Sequence, residues 1–298
     1  MISILSALTG WVLFSGLVAS IGSVVTSLVV LPRAAGPRAI EPTWTRSTHT
    51  LGVVGAALTL LGLLMVGVRQ LAEFRDPFVP WTEDAALLLS LEWGSYWKAA
   101  VTGAVALVLF AALLRAGQRL AFVPFALLAA ALAFFPGLTG HANGVEDLRA
   151  LALGMDGLHV WGAGAWIGCL AAVLLIERSV RRTDSSATAL PALVPAFSPV
   201  AVVGVATLIV TGVFATWLHI PDRNTLTGTT YGGTLLLKLA LVIVAITLGA
   251  QNARVLTPRL DTDEGVTELR RTAAFELAIA QLILIITAIL VRTSPLGH

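Results

Sequence analysis

Apolar runs of about twenty residues, broken by short polar connections, follow one another along the whole chain. Crossing roughly 30 Å of hydrocarbon takes about 20 mostly apolar helical residues. Runs of that length fall at about 9–31, 49–72, 96–115, 119–138, 152–177, 196–219, 231–253 and 271–292. The pattern predicts an all-α membrane protein, a bundle of eight transmembrane helices. The third and fourth runs are divided only by Arg115-Ala-Gly-Gln-Arg119, which reads as a tight turn. No basic segment precedes the first run, which is too long for the apolar core of a signal peptide, so it is expected to be retained as a span.

Loop charges orient the bundle. Arg33, Arg38 and Arg46, then Arg115 and Arg119, then Arg178, Arg181 and Arg182, then Arg254, Arg259, Arg270 and Arg271 fall in alternate loops. The intervening loops are poor in arginine and partly acidic, with Glu73, Asp76, Glu83, Asp84 and Glu92, then Glu146 and Asp147, then Asp222. Basic loops stay in the cytoplasm, so the chain is expected in the cell membrane with both termini external.

Composition sharpens this picture by exclusion. Hydrophobic residues make up 57% of the chain, charged residues only 12%, and the mean hydropathy is +0.88. A soluble domain would carry roughly a quarter charged residues. The pI near 9.1 reflects a net charge of only +2, and the arginines sit in short loops without a contiguous basic face, so no nucleic acid partner is expected. The single cysteine, Cys169, lies inside an apolar run and rules out an intramolecular disulfide. Walker, dinucleotide, Gly-x-Ser-x-Gly and His-Glu-x-x-His signatures are all missing. No enzyme is expected, and any transport would be passive or ion-coupled.

Short echoes link the two halves. Ile21-Gly22 returns as Ile167-Gly168, Val53-Val54-Gly55 as Val202-Val203-Gly204, and Trp93-Gly94 as Tyr231-Gly232. Two parallel four-helix repeats follow from this reading, an N-terminal half over 1–138 and a C-terminal half over 139–298.

Polar residues within a bilayer are costly and commonly functional. Here they gather at the external ends of the later spans: His141 after span four, Met155, Asp156 and His159 at the start of span five, and His219 at the end of span six. Met155 and His159 are four apart, and Trp166 is seven beyond His159, so one helical stripe is expected to carry all three. Cys169 lies three further on and about 15 Å deeper than His159, at 1.5 Å per residue. Thioether and thiolate favour Cu(I), and imidazole suits copper generally. Taken singly, an interfacial histidine more often anchors headgroups, a membrane methionine fills space, and a cysteine packs. Three histidines from three helices at one face shift the balance toward a metal site. Lys238, two turns inside span seven, is expected to face the interior and to pair with a carboxylate or to keep cations from binding too tightly. Glu276 reads equally as an interfacial carboxylate or as a ligand on the exit side.

In order and spacing these pieces resemble the copper-resistance D family of inner-membrane proteins. The resemblance rests on Gly140-His141-Ala142, Asp156-Gly157-Leu158-His159 and Ala165-Trp166-Ile167-Gly168. It continues through Phe197-Ser198-Pro199, Thr211-Gly212-Val213 and Thr230 to Lys238. It covers about residues 138–256 and implies movement of copper across the cytoplasmic membrane, generally as import. By this resemblance His141 and His159 lead the copper site, with Trp166 and Lys238 as matching positions of unsettled role. The chain departs from the family where Gly168-Cys169 stands in place of a common Gly-Gly. No appended copper-binding domain is seen, so a periplasmic or extracellular copper-binding partner would be a separate protein.

Three functions follow as expectations. The first is copper transport, with ions captured by His141, His159, Met155 and His219 and passed inward along span five. The second is a copper chaperone or assembly factor for an oxidase. The third is a b-type haem protein in which His159 and His219 ligate the iron.

Overall fold

In a computed structural model the chain is described over residues 4–140, 148–219 and 223–293, and among these there is no strand. Eight helices are long and apolar enough to cross a membrane: Leu5–Ala35, Pro42–Phe74, Glu92–Arg115, Arg119–Thr139, Arg149–Thr183, Leu190–Leu218, Thr230–Arg259 and Asp263–Leu290. These are spans one to eight. Several outrun the apolar segments that announce them, because helix can continue past the hydrocarbon as long as its polar residues reach water. The expected tight turn between spans three and four is present, with Gly117 at φ +93°, a conformation that favours glycine. A short helix, Trp81–Ser90, fills the connection between spans two and three.

Spans one and five are the most enclosed and pack on each other at the centre. Span one serves two cores. Its Leu17 and Ile21 join Leu63, Leu107 and Phe125 from spans two to four. Its Val18 and Val30 join Trp166, Cys169, Leu193 and Leu284 from spans five, six and eight. Outward-facing residues such as Val203, Val210 and Val213 of span six remain exposed, as a lipid-facing surface requires.

The central contact is built by glycine. A Cβ on Gly22 would sit 2.3 Å from the backbone carbon of Gly168, so the two helices touch backbone to backbone. Small residues permit this approach where dispersion must hold helices together without water. Neighbouring seams use the same device. Gly16 of span one abuts the Leu58–Thr59 backbone of span two, and Gly162 of span five abuts Thr207 and Leu208 of span six. Gly55 of span two meets the Ser20 nitrogen, while Gly204 of span six meets the Trp166 nitrogen.

Two of the later spans depart from regular α-helix. Span five has a π-helical turn at Gly164–Gly168, and span seven has one at Asn252–Leu256. Such turns re-aim the side chains that follow and often mark functional positions.

Candidate functional site

His159 lies near the acidic end of span five, opposite span six. Its Nδ1 is 2.8 Å from Thr211 Oγ1, and the Thr211 hydroxyl is itself 2.7 Å from the Thr207 carbonyl. Since that hydroxyl donates to the carbonyl, it accepts from Nδ1–H. The tautomer assigned on this basis leaves the Nε2 lone pair for a ligand. Gly212 lies beside the ring, where a Cβ would make an ordinary contact with the imidazole Cε1 at 3.9 Å. Second-partner hydrogen bonds of this type orient metal-binding histidines.

Among the described residues, one charged group acts on the ring. Lys238 of span seven lies within electrostatic reach of both His159 and Asp156, and Asp156 also reaches Tyr231. The Asp156 carboxylate rests on Gly137 at the end of span four, where a Cβ would approach Oδ2 to 3.2 Å. Groups from four spans thus lie near one another: Gly137 against Asp156, Thr211 bonded to His159, and Lys238 within electrostatic reach. Met155, half-buried, is one turn before His159.

The remaining expected ligands divide into two groups. His141 lies outside the described residues, as does the side chain of His219, whose backbone ends the span-six helix Leu190–His219. The stripe expected along span five does not hold. His159 faces span six, but Trp166 turns to span eight, and Cys169 turns to span one, with Sγ 3.6 Å from the Gly22 carbonyl. The cause is the π-turn between them, which breaks the 3.6-residue periodicity on which the stripe depended. Cys169 is fully buried. Among the described residues no three His, Cys, Asp or Glu side chains come together as a metal-binding group. The only two described histidine side chains, His49 and His159, belong to opposite ends of the bundle and form no axial pair for haem.

A second polar centre lies toward the arginine-rich end. Glu276 of span eight is buried, and its two oxygens are held separately. Oε1 accepts from Trp166 Nε1 at 2.9 Å, and Oε2 accepts from Asn252 Nδ2 at 3.0 Å. Thr272 completes the network by donating to Asn252 Oδ1 at 2.6 Å. Both π-turns thus deliver a donor to one carboxylate. Gly249 of span seven leaves room beside it. Span seven leans on span eight, and between it and span six lies a cavity of about 460 Å³. Glu276, Trp166 and Asn252 border this cavity, with Phe197 and Ser198 on the span-six side. A buried carboxylate held by neutral donors beside open space can exchange a proton or receive a cation. Glu276 stood out in the sequence as a charge in an apolar run. Asn252 did not, because an amide near the end of a span is unremarkable until its partner is known.

Comparison with known proteins bears on the family of the chain. The family model for Copper resistance protein D matches residues 191–290, which include Glu276 and the span-six and span-seven walls of the cavity. The chain is 30% identical to Copper resistance protein D of Pseudomonas syringae pv. tomato over 267 residues, covering 80% of this chain and 83% of that protein. It is 32% identical over 203 residues to Copper transport protein CutJ of Bacillus subtilis (strain 168), covering 66% of this chain. It spans only 36% of CutJ's length. No solved structure matches. The extent of the Pseudomonas match settles the relationship: this multi-pass membrane protein belongs to the copper resistance protein D family.

Proposed function

We propose that the chain carries copper ions across the cell membrane, inward from the His159 end, which we place outside the cell. The observation that carries this reading is the His159–Thr211 hydrogen bond, which leaves imidazole Nε2 as a ligand at the meeting point of four spans. The names of the relatives, a copper transport protein and a copper resistance protein, point to copper as the cargo. Met155 one turn away supplies a soft donor suited to Cu(I). His141, which follows span four in the sequence, and His219, whose backbone ends the span-six helix, complete the proposed capture site, with ions handed over by a separate copper-binding protein.

Lys238 gives this site its turnover. A fixed positive charge beside a cation site weakens binding, and transport needs an ion that leaves as readily as it arrives. Asp156 balances Lys238 when the site is empty. Glu276, across the bundle at the cavity, is the proposed second station, from which the ion leaves toward the cytoplasm. We also read residues 1–138 and 139–298 as parallel repeats, a reading supported by the matched glycine contacts at their seams.

The test is copper uptake by proteoliposomes, paired with metal analysis of the purified protein. His159→Ala should reduce bound copper and uptake by at least about tenfold, given the losses typical at metal sites. The bundle should stay folded, because His159 is not in either core. Unchanged copper content in a folded His159→Ala variant would remove the residue from the site. Copper binding without uptake by the wild-type protein would point instead to a chaperone.

A further inference from the structure

At the arginine-rich end a groove of about 450 Å³ separates spans five and eight. Arg178, Arg181 and Arg182 line it from span five, and Arg270 from span eight. None of the four is in an ion pair among the described residues, whose ion pairs involve other side chains. Moreover, Nη1 of Arg270 is buried with no hydrogen-bond partner. A buried N–H of a charged group left without an acceptor is costly, so the geometry lacks a group that should fill it.

Among the described residues, the acid that lines the groove forms no ion pair with these arginines. Glu177 also lines the groove, but its Oε2 is taken by Thr188 Oγ1 and the Ala189 amide, and its Oε1 is buried without a partner. On span eight, Glu268 is engaged with Arg259 at 3.2 Å. Four guanidinium groups against one carboxylate leave the groove strongly cationic. Its depth profile is equally telling. Leu174 lies one turn deeper than Arg178, and Ala274 one turn deeper than Arg270, so arginine at the rim gives way to apolar surface toward the bilayer centre.

We propose that this groove binds an anionic phospholipid, with its phosphate on Arg270, Arg178 and Arg181 and the start of an acyl chain against Leu174 and Ala274. Guanidinium forks match phosphate oxygens in a bidentate way, and basic pockets between transmembrane helices are known lipid headgroup sites. A free phosphate ion would satisfy the rim but would leave the apolar floor uncovered. Arginines elsewhere at this end, such as Arg119, lack the second wall and should attract lipid only through diffuse surface charge.

The experiment is native mass spectrometry of the detergent-purified full chain, titrated with phosphatidylglycerol, cardiolipin or phosphatidylcholine. The wild-type protein should retain anionic lipid over phosphatidylcholine by about tenfold. The Arg181→Gln/Arg270→Gln double variant should lose that preference, and Arg119→Gln should keep it. Arg181→Lys/Arg270→Lys keeps the charge and guards against misfolding. It should fold and retain the lipid more weakly, since ammonium lacks the fork. Equal retention by the wild-type protein and the glutamine variant would overturn the proposal. So would a wild-type protein that does not discriminate between lipids. Displacement of the lipid by millimolar inorganic phosphate would show that the groove takes a free anion instead.

Discussion

The seam between spans one and two and the seam between spans five and six are packed alike and equipped differently. In both, glycine on the inner helix meets backbone on the outer one, Gly16 against the Thr59 nitrogen and Gly162 against the Gly204 carbonyl. One turn away the two diverge. On the first seam Leu13 lies against Gly62, where a Cβ would come within 2.6 Å of the Leu13 Cα. On the second, His159 bonds Thr211 at 2.8 Å. Similar close approach of helices thus frames a sealed apolar contact in one place and a polar pair in the other. What is learned is that the close approach is scaffold. The chemistry is decided by which side chain occupies the slot beside it.

That contrast can be broken or sharpened in order of expected effect. Gly22→Val strikes the contact between the inner helices of the two seams, spans one and five. It forces a branched side chain onto Gly168 backbone that cannot retreat, so its destabilisation should exceed the roughly 3 kcal/mol usual for overpacking. Loss of folded yield and of thermal stability in detergent would register it, and a normally stable variant would disprove the contact. Leu13→Ala should cost about 2 kcal/mol, toward the low end for a buried leucine, because lipid also solvates the unfolded reference. Copper content per folded molecule should not change, and a loss of copper here would show that both seams serve the site. Thr211→Val should leave stability nearly unchanged while weakening copper binding by about tenfold, through loss of the hydrogen bond that orients His159. Equal copper affinity in that variant would mean that the imidazole is held by other means.

All eight spans were legible in the sequence, because span formation depends on local composition and a bilayer leaves the backbone few alternatives. The helical ends at Pro42 and Thr183 were not, since polar helix beyond the hydrocarbon carries no hydropathy signal. Sequence reasoning named His159, Asp156 and Lys238, which the fold brings together from spans five and seven. It misplaced Trp166 on one stripe with His159, because it assumed regular α-helix where five residues form a π-turn. The Glu276 centre was only half visible. Its partners Trp166 and Asn252 are distant in sequence, and only the packing of three helices makes them neighbours.

The seclusion of Cys169 has a practical consequence. With its only thiol fully buried against the Gly22 carbonyl, the protein presents almost no background to a water-soluble maleimide. Phe78, in the connection between spans two and three, and Leu120, at the start of span four, are each 94% exposed at opposite ends of the bundle. Phe78→Cys should react from outside intact cells and Leu120→Cys only after lysis, and the reverse result would invert the orientation. The chain thus comes ready for reporting which way it faces, with no native residue to remove first.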